Sequence, residues 1–512
     1  MAEYIGWILL AFVLYLLMMV VVGAAYAKKN TSSEDYFLGG RQLGGFVAAL
    51  SAQASDMSGW LLMGLPGSVY ALGTGQIWIA VGLFIGTVCN WLFISQRLRR
   101  YTIRANNSLT IPTYFQNRFR DEKRILLAVS SITIVIFFLV YTASALAAGG
   151  KLFNLVFGLD YKLALTVGAI VILVYTFMGG FWAVCTTDFV QGTLMLIGLL
   201  AVPILAVSMI GTDAITANLA ATGVDSTQYL NVMSSGSGEF SAVDIISQLA
   251  WGLGYFGMPH ILVRFMAVKD EKELNKSKVV AIAWVALSLL FACIIGVIGR
   301  AYLCPEVLTG GAEENVFIAM IIKMFTEDMK MPIVGGIFLC GILAAIMSTA
   351  DSQLLVSASS VAEDIYCGVL KKKNEDKKVL NISRITVLVI AFLAYLIALD
   401  PNSSIMGLVS NAWAGLGSAF GPIVVFSLFW KRTNLQGAIA GVASGALAVI
   451  LWDYIPLVGG QTLGAVTGLY SLVVGFALSA VMIVIVSLLT PAPSKEMLQE
   501  FEDVKNGNVA NL

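Results

Sequence analysis

SAQASDMSGWLLMGLPG, residues 51–67, places an aspartate (Asp56), three serines and a run of small residues inside an otherwise apolar segment. It follows GGFVAAL (44–50) and itself carries LLMGL (61–65), so the pattern is that of a spanning helix with a polar interruption. Unwound backbone survives at membrane depth only where it is buried in protein or borders a cavity. The stretch therefore predicts a broken helix beside a binding site.

The rest of the chain supports a membrane setting. Of 512 residues, 58% are hydrophobic and 12% charged, against roughly 25% charged in a soluble domain. Apolar runs of about 20 residues, the length that crosses a bilayer, recur throughout. They are continuous rather than alternating, which excludes a β-barrel. This is an all-α polytopic protein of the cell membrane, with about thirteen helices expected near 4–26, 44–70, 76–96, 124–157, 161–178, 188–211, 240–262, 278–303, 332–358, 381–399, 404–430, 435–455 and 463–490. The first run is too long for a signal peptide and lacks a basic amino-terminal region and a small-residue cleavage site, so it is read as a retained helix. Loops alternate between basic and nearly free of Lys and Arg, with 26 of the 31 on one side. The positive-inside rule then puts the amino terminus outside and the carboxyl terminus in the cytoplasm.

Outside the spans, residues 212–239 read as a solvated loop, and the apolar stretch near 317–326 as a helix on the extracellular surface. The segment LTIPTYFQNRF (109–119) reads as interfacial on the cytoplasmic side. Residues 491–512 form a charged, polar cytoplasmic tail. The six cysteines are single, with no C-x-x-C pair, and there is one histidine, His260. Neither a metal cluster nor a phosphate-binding loop can be assembled, so an enzyme and an ATP-driven pump have no visible machinery. No nucleic-acid signature appears, and nothing calls for an obligatory protein partner.

A second interruption, WGLGYFGMPH (251–260), packs three glycines and a proline into nine residues of the seventh helix. The two broken helices are five apart and so cross in opposite directions. Paired interruptions in inverted halves point to a transporter's binding site. A charge at the centre of a spanning helix costs about 3 kcal/mol on insertion scales, so Asp56 needs a use. It helps hold a cation or organise the unwound backbone, or it caps the second half-helix through the Ser58 and Gly59 N–H groups. In GILAAIMSTADSQLL (341–355), Ser348 and Thr349 are adjacent hydroxyls. With the Ala345 carbonyl and carbonyls freed near Ala54 and Met57, they make an oxygen set suited to a hard cation such as sodium. Packing or back-bonding within the helix is the competing reading. Asp188 is either a helix-start acid favoured by the dipole or part of an ion route. Trp60, Trp251, Tyr255 and Tyr141 are candidates for an apolar substrate pocket. His260 reads as a packed histidine, and Asp351 as a second intramembrane acid toward the cytoplasmic half.

The segments DYFLGGRQLGGFVAALSAQASDMSGWLLMGLPG, YTFMGGFWAVCTTDFVQ, WGLGYFGMPHILVRFMA, GILAAIMST and LVSNAWAGLGSAFGP, in this order, resemble the sodium/solute symporter family and within it the bacterial sodium/proline symporters. That resemblance implies a leucine-transporter-type core of two inverted five-helix repeats (44–211 and 240–430), flanked by helix 4–26 and two further helices within 435–490. It implies sodium-coupled import of L-proline by alternating access. It carries the sodium site onto Ala54, Met57, Ala345, Ser348 and Thr349, and coupling roles onto Asp56, Ser58 and Asp188. The proline side falls on Gly59, Trp60, Tyr141, Trp251, Tyr255 and Pro259, with Trp251 as an extracellular thin gate. Arg41 matches a functionally sensitive basic position, although it also serves as a plain topology charge. Asp351 departs from the family pattern, which has a small neutral residue there. Another small solute, proton coupling, or a sensor or channel that binds without pumping remain the alternatives.

Overall fold

The computed structural model describes residues 2–27, 33–178, 180–236, 238–372 and 375–509. Lys28, Lys29 and Lys373, counted above among the basic loop residues, lie outside them, as do the last three residues of the tail.

The chain is a helical bundle. Helix α1 is Ala2–Ala27. The first broken helix is α2, Gly45–Asp56, then a wide π turn at Trp60–Gly64 and α3, Leu65–Leu72. Next come α4 (Ile77–Cys89), a π turn at Asn90–Ile94, α5 (Ser95–Arg104) and α6 (Ile111–Phe119). Helices α7 (Ile125–Phe157), α8 (Tyr161–Met178) and α9 (Phe181–Ile210) follow. Short helices α10 (Ala214–Ala221) and α11 (Ser226–Tyr229) precede the second broken helix. That one is α12 (Ala242–Leu249), a 3₁₀ stretch at Ala250–Gly257 and α13 (Pro259–Ala267). The remainder is α14 (Glu271–Leu303), α15 (Val316–Ile322), α16 (Pro332–Ser359, running on as a π-helical stretch to Val369), α17 (Asp376–Ile397), α18 (Ile405–Phe429), α19 (Leu435–Tyr454), α20 (Ser471–Leu489) and α21 (Lys495–Asn506).

Among the described residues, ten helices are long and apolar enough to cross a membrane. The other three expected stretches also hold helix, but two are broken and the third, at Tyr161, is shorter.

Four local expectations change. Helix α9 begins at Phe181 rather than 188, and the Thr186 and Thr187 hydroxyls are satisfied inside it by the Trp182 and Ala183 carbonyls. Residues 212–239 are not simply a solvated loop. Tyr229 is buried there, and its hydroxyl donates to the Val69 and Tyr70 carbonyls at the end of α3. Helix α15 is buried within the protein rather than lying on its surface, with Val316, Ile318, Met320 and Ile321 fully covered. Helix α6 is likewise more buried than an interfacial segment, through Tyr114, Phe115 and Arg118.

Glycines let the second broken helix sit against its neighbours. A Cβ on Gly86 of α4 would stand 2.2 Å from the Gly252 carbonyl oxygen, and one on Gly254 would stand 2.0 Å from the Trp413 indole nitrogen. Only glycine permits such an approach.

Candidate substrate and ion site

Both interruptions free backbone groups, and the structure gives most of them polar partners. At the first, Met57 leaves the helix and the Ser58 N–H turns back to the Asp56 carbonyl at 3.0 Å. The Trp60 indole donates to that same carbonyl at 2.9 Å. At the second, Asn90 from the π turn of α4 donates to the Tyr255 carbonyl at 2.9 Å, and the Trp413 indole donates to the Trp251 carbonyl at 2.8 Å. Side chains thus replace the lost helical bonds, as an unwound segment away from water requires.

Asp56 does not cap the second half-helix. Its Oδ2 accepts a 2.6 Å hydrogen bond from the Tyr255 hydroxyl, and its Oδ1 has no partner among the described residues. One bond therefore joins the two broken helices across the core, with both residues about 1% exposed. Trp60 and Tyr141 are buried beside it, and the Tyr141 hydroxyl stands near Ser58 and Trp60. Gly59 passes so close to α7 that a Cβ there would lie 2.8 Å from the Ala148 methyl. Trp251 and Pro259 lie apart from this group. Trp251 stacks on Tyr470 with centroids 5.3 Å apart, and Pro259 borders a separate small cavity. His260 is packed, edge-on to Phe138 and Tyr141.

The expected ion ligands converge between α2 and α16. The Ser348 hydroxyl donates to the Ala54 carbonyl at 2.7 Å and reaches the Ala345 carbonyl at 3.2 Å. Thr349 approaches the same Ala54 oxygen at 3.4 Å. Neither hydroxyl donates to Met57, whose carbonyl belongs to the break itself. This donor set is neutral and all oxygen, which suits a small hard monovalent cation better than a transition metal.

Asp188 lies inside α9, not at its start, so it is not a capping acid. Its Oδ2 takes hydrogen bonds from Ser51 (2.6 Å) and Arg264 (3.3 Å), all three residues being fully buried. Arg264 also donates to Ser51, to the His260 carbonyl and to Ser352. Asp351 adjoins this cluster through Ser352. The sequence reading missed Arg264, Ser51 and Ser352, because ending the seventh helix at 262 made Arg264 a loop charge. The usable signal was its position four residues after His260, on the same helical face.

Arg41 is a structural clamp rather than a solvated charge. It sits in a left-handed turn (φ 53) and donates to Asn107, Thr102 and the Met266 and Ser108 carbonyls. Leu43 forms a bridge with Val268, and Arg99 donates to the Val268 and Lys269 carbonyls. The segment leading into α2 and the segment leaving α13 are thereby fastened together.

A many-helix membrane protein with two interrupted helices meeting at a polar core has the architecture of a membrane transporter. The chain belongs to the sodium:solute symporter family, whose model matches residues 36–445. It is 43% identical to the osmoregulated proline transporter OpuE of Bacillus subtilis (strain 168), over 96% of this chain and 97% of that protein. It is 41% identical to the high-affinity proline transporter PutP of the same strain, over 95% and 99% of the two chains. It is also 41% identical to a sodium/proline symporter of Staphylococcus aureus, over 96% and 94%. Among solved structures, a substrate-bound, outward-open Na+-coupled sialic acid symporter superposes with a TM-score of 0.75 at 20% identity, covering 96% of this chain and 99% of that one. MhsT in complex with L-phenylalanine superposes at 0.56 with 14% identity, over 87% and 98%. These likenesses establish a shared transporter fold.

Proposed function

We propose that this chain imports L-proline across the cell membrane, driven by sodium and working by alternating access. The observation that carries the reading is the meeting of the Ala54 and Ala345 carbonyls with the Ser348 and Thr349 hydroxyls beside the first break. The names of the relatives supply the solute and the ion.

In this reading all thirteen helices span, with the amino terminus outside and the carboxyl terminus inside. Residues 44–211 and 240–430 form inverted five-helix repeats, helix 4–26 and the two helices of 435–490 flank them, and 491–512 is the cytoplasmic tail. Sodium enters between α2 and α16 and takes the Ala54, Ala345, Ser348 and Thr349 oxygens, with the Met57 carbonyl supplied by the break. Proline lies beside Gly59, Trp60, Tyr141 and Tyr255. Trp251 guards the extracellular approach, and Pro259 belongs to the proline side at the second break. Asp56 holds the two breaks in register through Tyr255, and Ser58 shapes the turn between them. Asp188 acts with Arg264 on the cytoplasmic side, and Arg41 keeps the ends of α2 and α13 together.

Coupling needs only that both ligands favour the same conformation, which links their affinities reciprocally. One sodium ion moving down 100 mV releases about 2.3 kcal/mol. That sustains a proline gradient of roughly fiftyfold from voltage alone. The test is uptake of labelled proline into proteoliposomes under an imposed sodium gradient, compared with potassium and proton gradients. Uptake indifferent to sodium overturns the proposal.

A further inference from the structure

Among the described residues, Gln353 Nε2 and Ser357 Oγ stand buried without partners along the cytoplasmic half of α16, and further along it Ser360 Oγ and Asp364 Oδ2 have no partner but each other. Each of these residues is at most 1% exposed. Buried polar side chains are usually satisfied, so unsatisfied ones in a row need a cause. Counted from the ion-site residue Thr349, the positions advance by four, four, three and four. That spacing holds them on one face of the helix. The stripe is about 22 Å long at helical rise.

One turn before Asp364, Ser360 lines a cavity of about 20 Å³ together with Thr110 and Ser359, bordered also by Pro259 and Arg264. Such a volume suits one water molecule or one small ion. Arg264 is engaged by Asp188, Ser51, Ser352 and the His260 carbonyl. Asp364 is not so engaged. The Thr110 hydroxyl donates to its Oδ1 at 2.6 Å, and the Ser360 hydroxyl stands beside the carboxylate. Among the described residues, no Lys, Arg or His lies within ion-pair distance of it. A buried carboxylate without a counter-charge is costly, and a hard cation with oxygen preference supplies one.

We infer that Asp364 and Ser360 form a second monovalent-cation subsite at the cytoplasmic end of the ion's route, reached from Ser348 and Thr349 along this stripe. Thr110 anchors the carboxylate. The inference rests on the sodium-coupled reading above and adds the place from which the ion is released.

The test uses the full chain in proteoliposomes, with sodium varied separately outside and inside during labelled proline uptake. Asp364→Asn keeps an acceptor for Thr110 but removes the charge. It is expected to leave the external sodium half-saturation within about twofold, and to raise the internal sodium concentration for half-inhibition at least about fivefold. Ser360→Ala is expected to shift the internal value in the same direction by about two- to threefold. Thr110→Val, which removes only the anchor, should move it by less than about twofold.

An internal response of Asp364→Asn equal to the native one overturns the subsite. So does a Thr110→Val variant that reproduces the Asp364→Asn shift while Ser360→Ala has none. Where Asp364→Asn does not assemble, Ser360→Ala alone decides: a shift upholds the subsite and no shift overturns it. Absence of sodium dependence in the native chain overturns the functional reading instead, and that outcome is visible before any variant is compared.

Discussion

Tyr255→Phe removes one hydroxyl and, with it, the only hydrogen bond to the Asp56 carboxylate among the described residues, at 2.6 Å in a fully buried setting. A hydrogen bond to a charged group contributes about 1.5–3 kcal/mol, and removing its donor also leaves a buried acceptor unsatisfied. Taking about 2 kcal/mol, the loss corresponds to roughly a thirtyfold change in an equilibrium constant. The bond ties the ion-side break to the substrate-side break, so the loss is shared between the two ligands. In proteoliposome uptake assays, Tyr255→Phe is expected to raise the half-saturation constants of both proline and sodium, each by about fivefold or more. Asp56→Asn keeps an acceptor for Tyr255 and loses the charge, so it should raise the sodium constant more than the proline constant. The double variant should fall well short of the product of the single effects, since both changes act on one contact. If Tyr255→Phe moved only the proline constant, or if the two effects multiplied, the hydrogen bond would not be the link between the breaks.

Other consequences are equally direct. Thr349→Ala deletes one oxygen of the α2–α16 set and should raise the sodium half-saturation about tenfold or more, with proline affinity at saturating sodium within about threefold of native. Lys151 and Glu314 form a buried pair at 2.7 Å, and Glu314 also accepts from the Ile405 and Met406 N–H groups at the start of α18. Lys151→Met should therefore destabilise the purified protein by about 3 kcal/mol, and Lys151→Met with Glu314→Gln should recover part of it, both read as melting temperature in detergent. The tail helix α21 is held to the ends of α5 and α6 by Glu500 with Arg104 and Arg120, and by Asp503 with Arg104. Both arginines are substantially exposed, so Glu500→Lys should lower the melting temperature only slightly at low salt, and the difference should shrink at about 0.5 M salt.

The spans were legible because bilayer crossing demands long apolar runs, and the two breaks because glycine, proline and small polar residues interrupt such runs. Ser348 and Thr349 could be joined to Ala54 in advance only through their match to a known pattern, since 294 residues separate Ser348 from Ala54. The Asp56–Tyr255 bond spans 199 residues, and periodicity along one helix carries no information on what faces it across a core. Hydropathy also trimmed helices at their polar buried ends. Hydropathy therefore starts α9 at Asp188 and ends α13 before Arg264, although both residues are inside their helices and bonded to each other. A buried ion pair within helices looks, residue by residue, like a boundary.

The contacts around the two breaks differ in strength in a way that bears on how an ion could drive movement. The two broken helices are fastened by the Leu43–Val268 bridge, by Arg41 to the Met266 carbonyl, by Arg264 to Ser51 and by Tyr255 to Asp56. Near the ion oxygens, α16 meets α2 through two hydroxyl-to-carbonyl bonds, both on the single Ala54 oxygen. Neutral hydrogen bonds of that kind contribute about 1 kcal/mol each. A cation bound by the same oxygens would replace a weak, proton-mediated contact with a stronger one that exists only while the ion is present. The paired broken helices would then respond as one body. The position of α16 against them is the coordinate that sodium is best placed to control, and proline, lying against the broken helices, senses it from the other side.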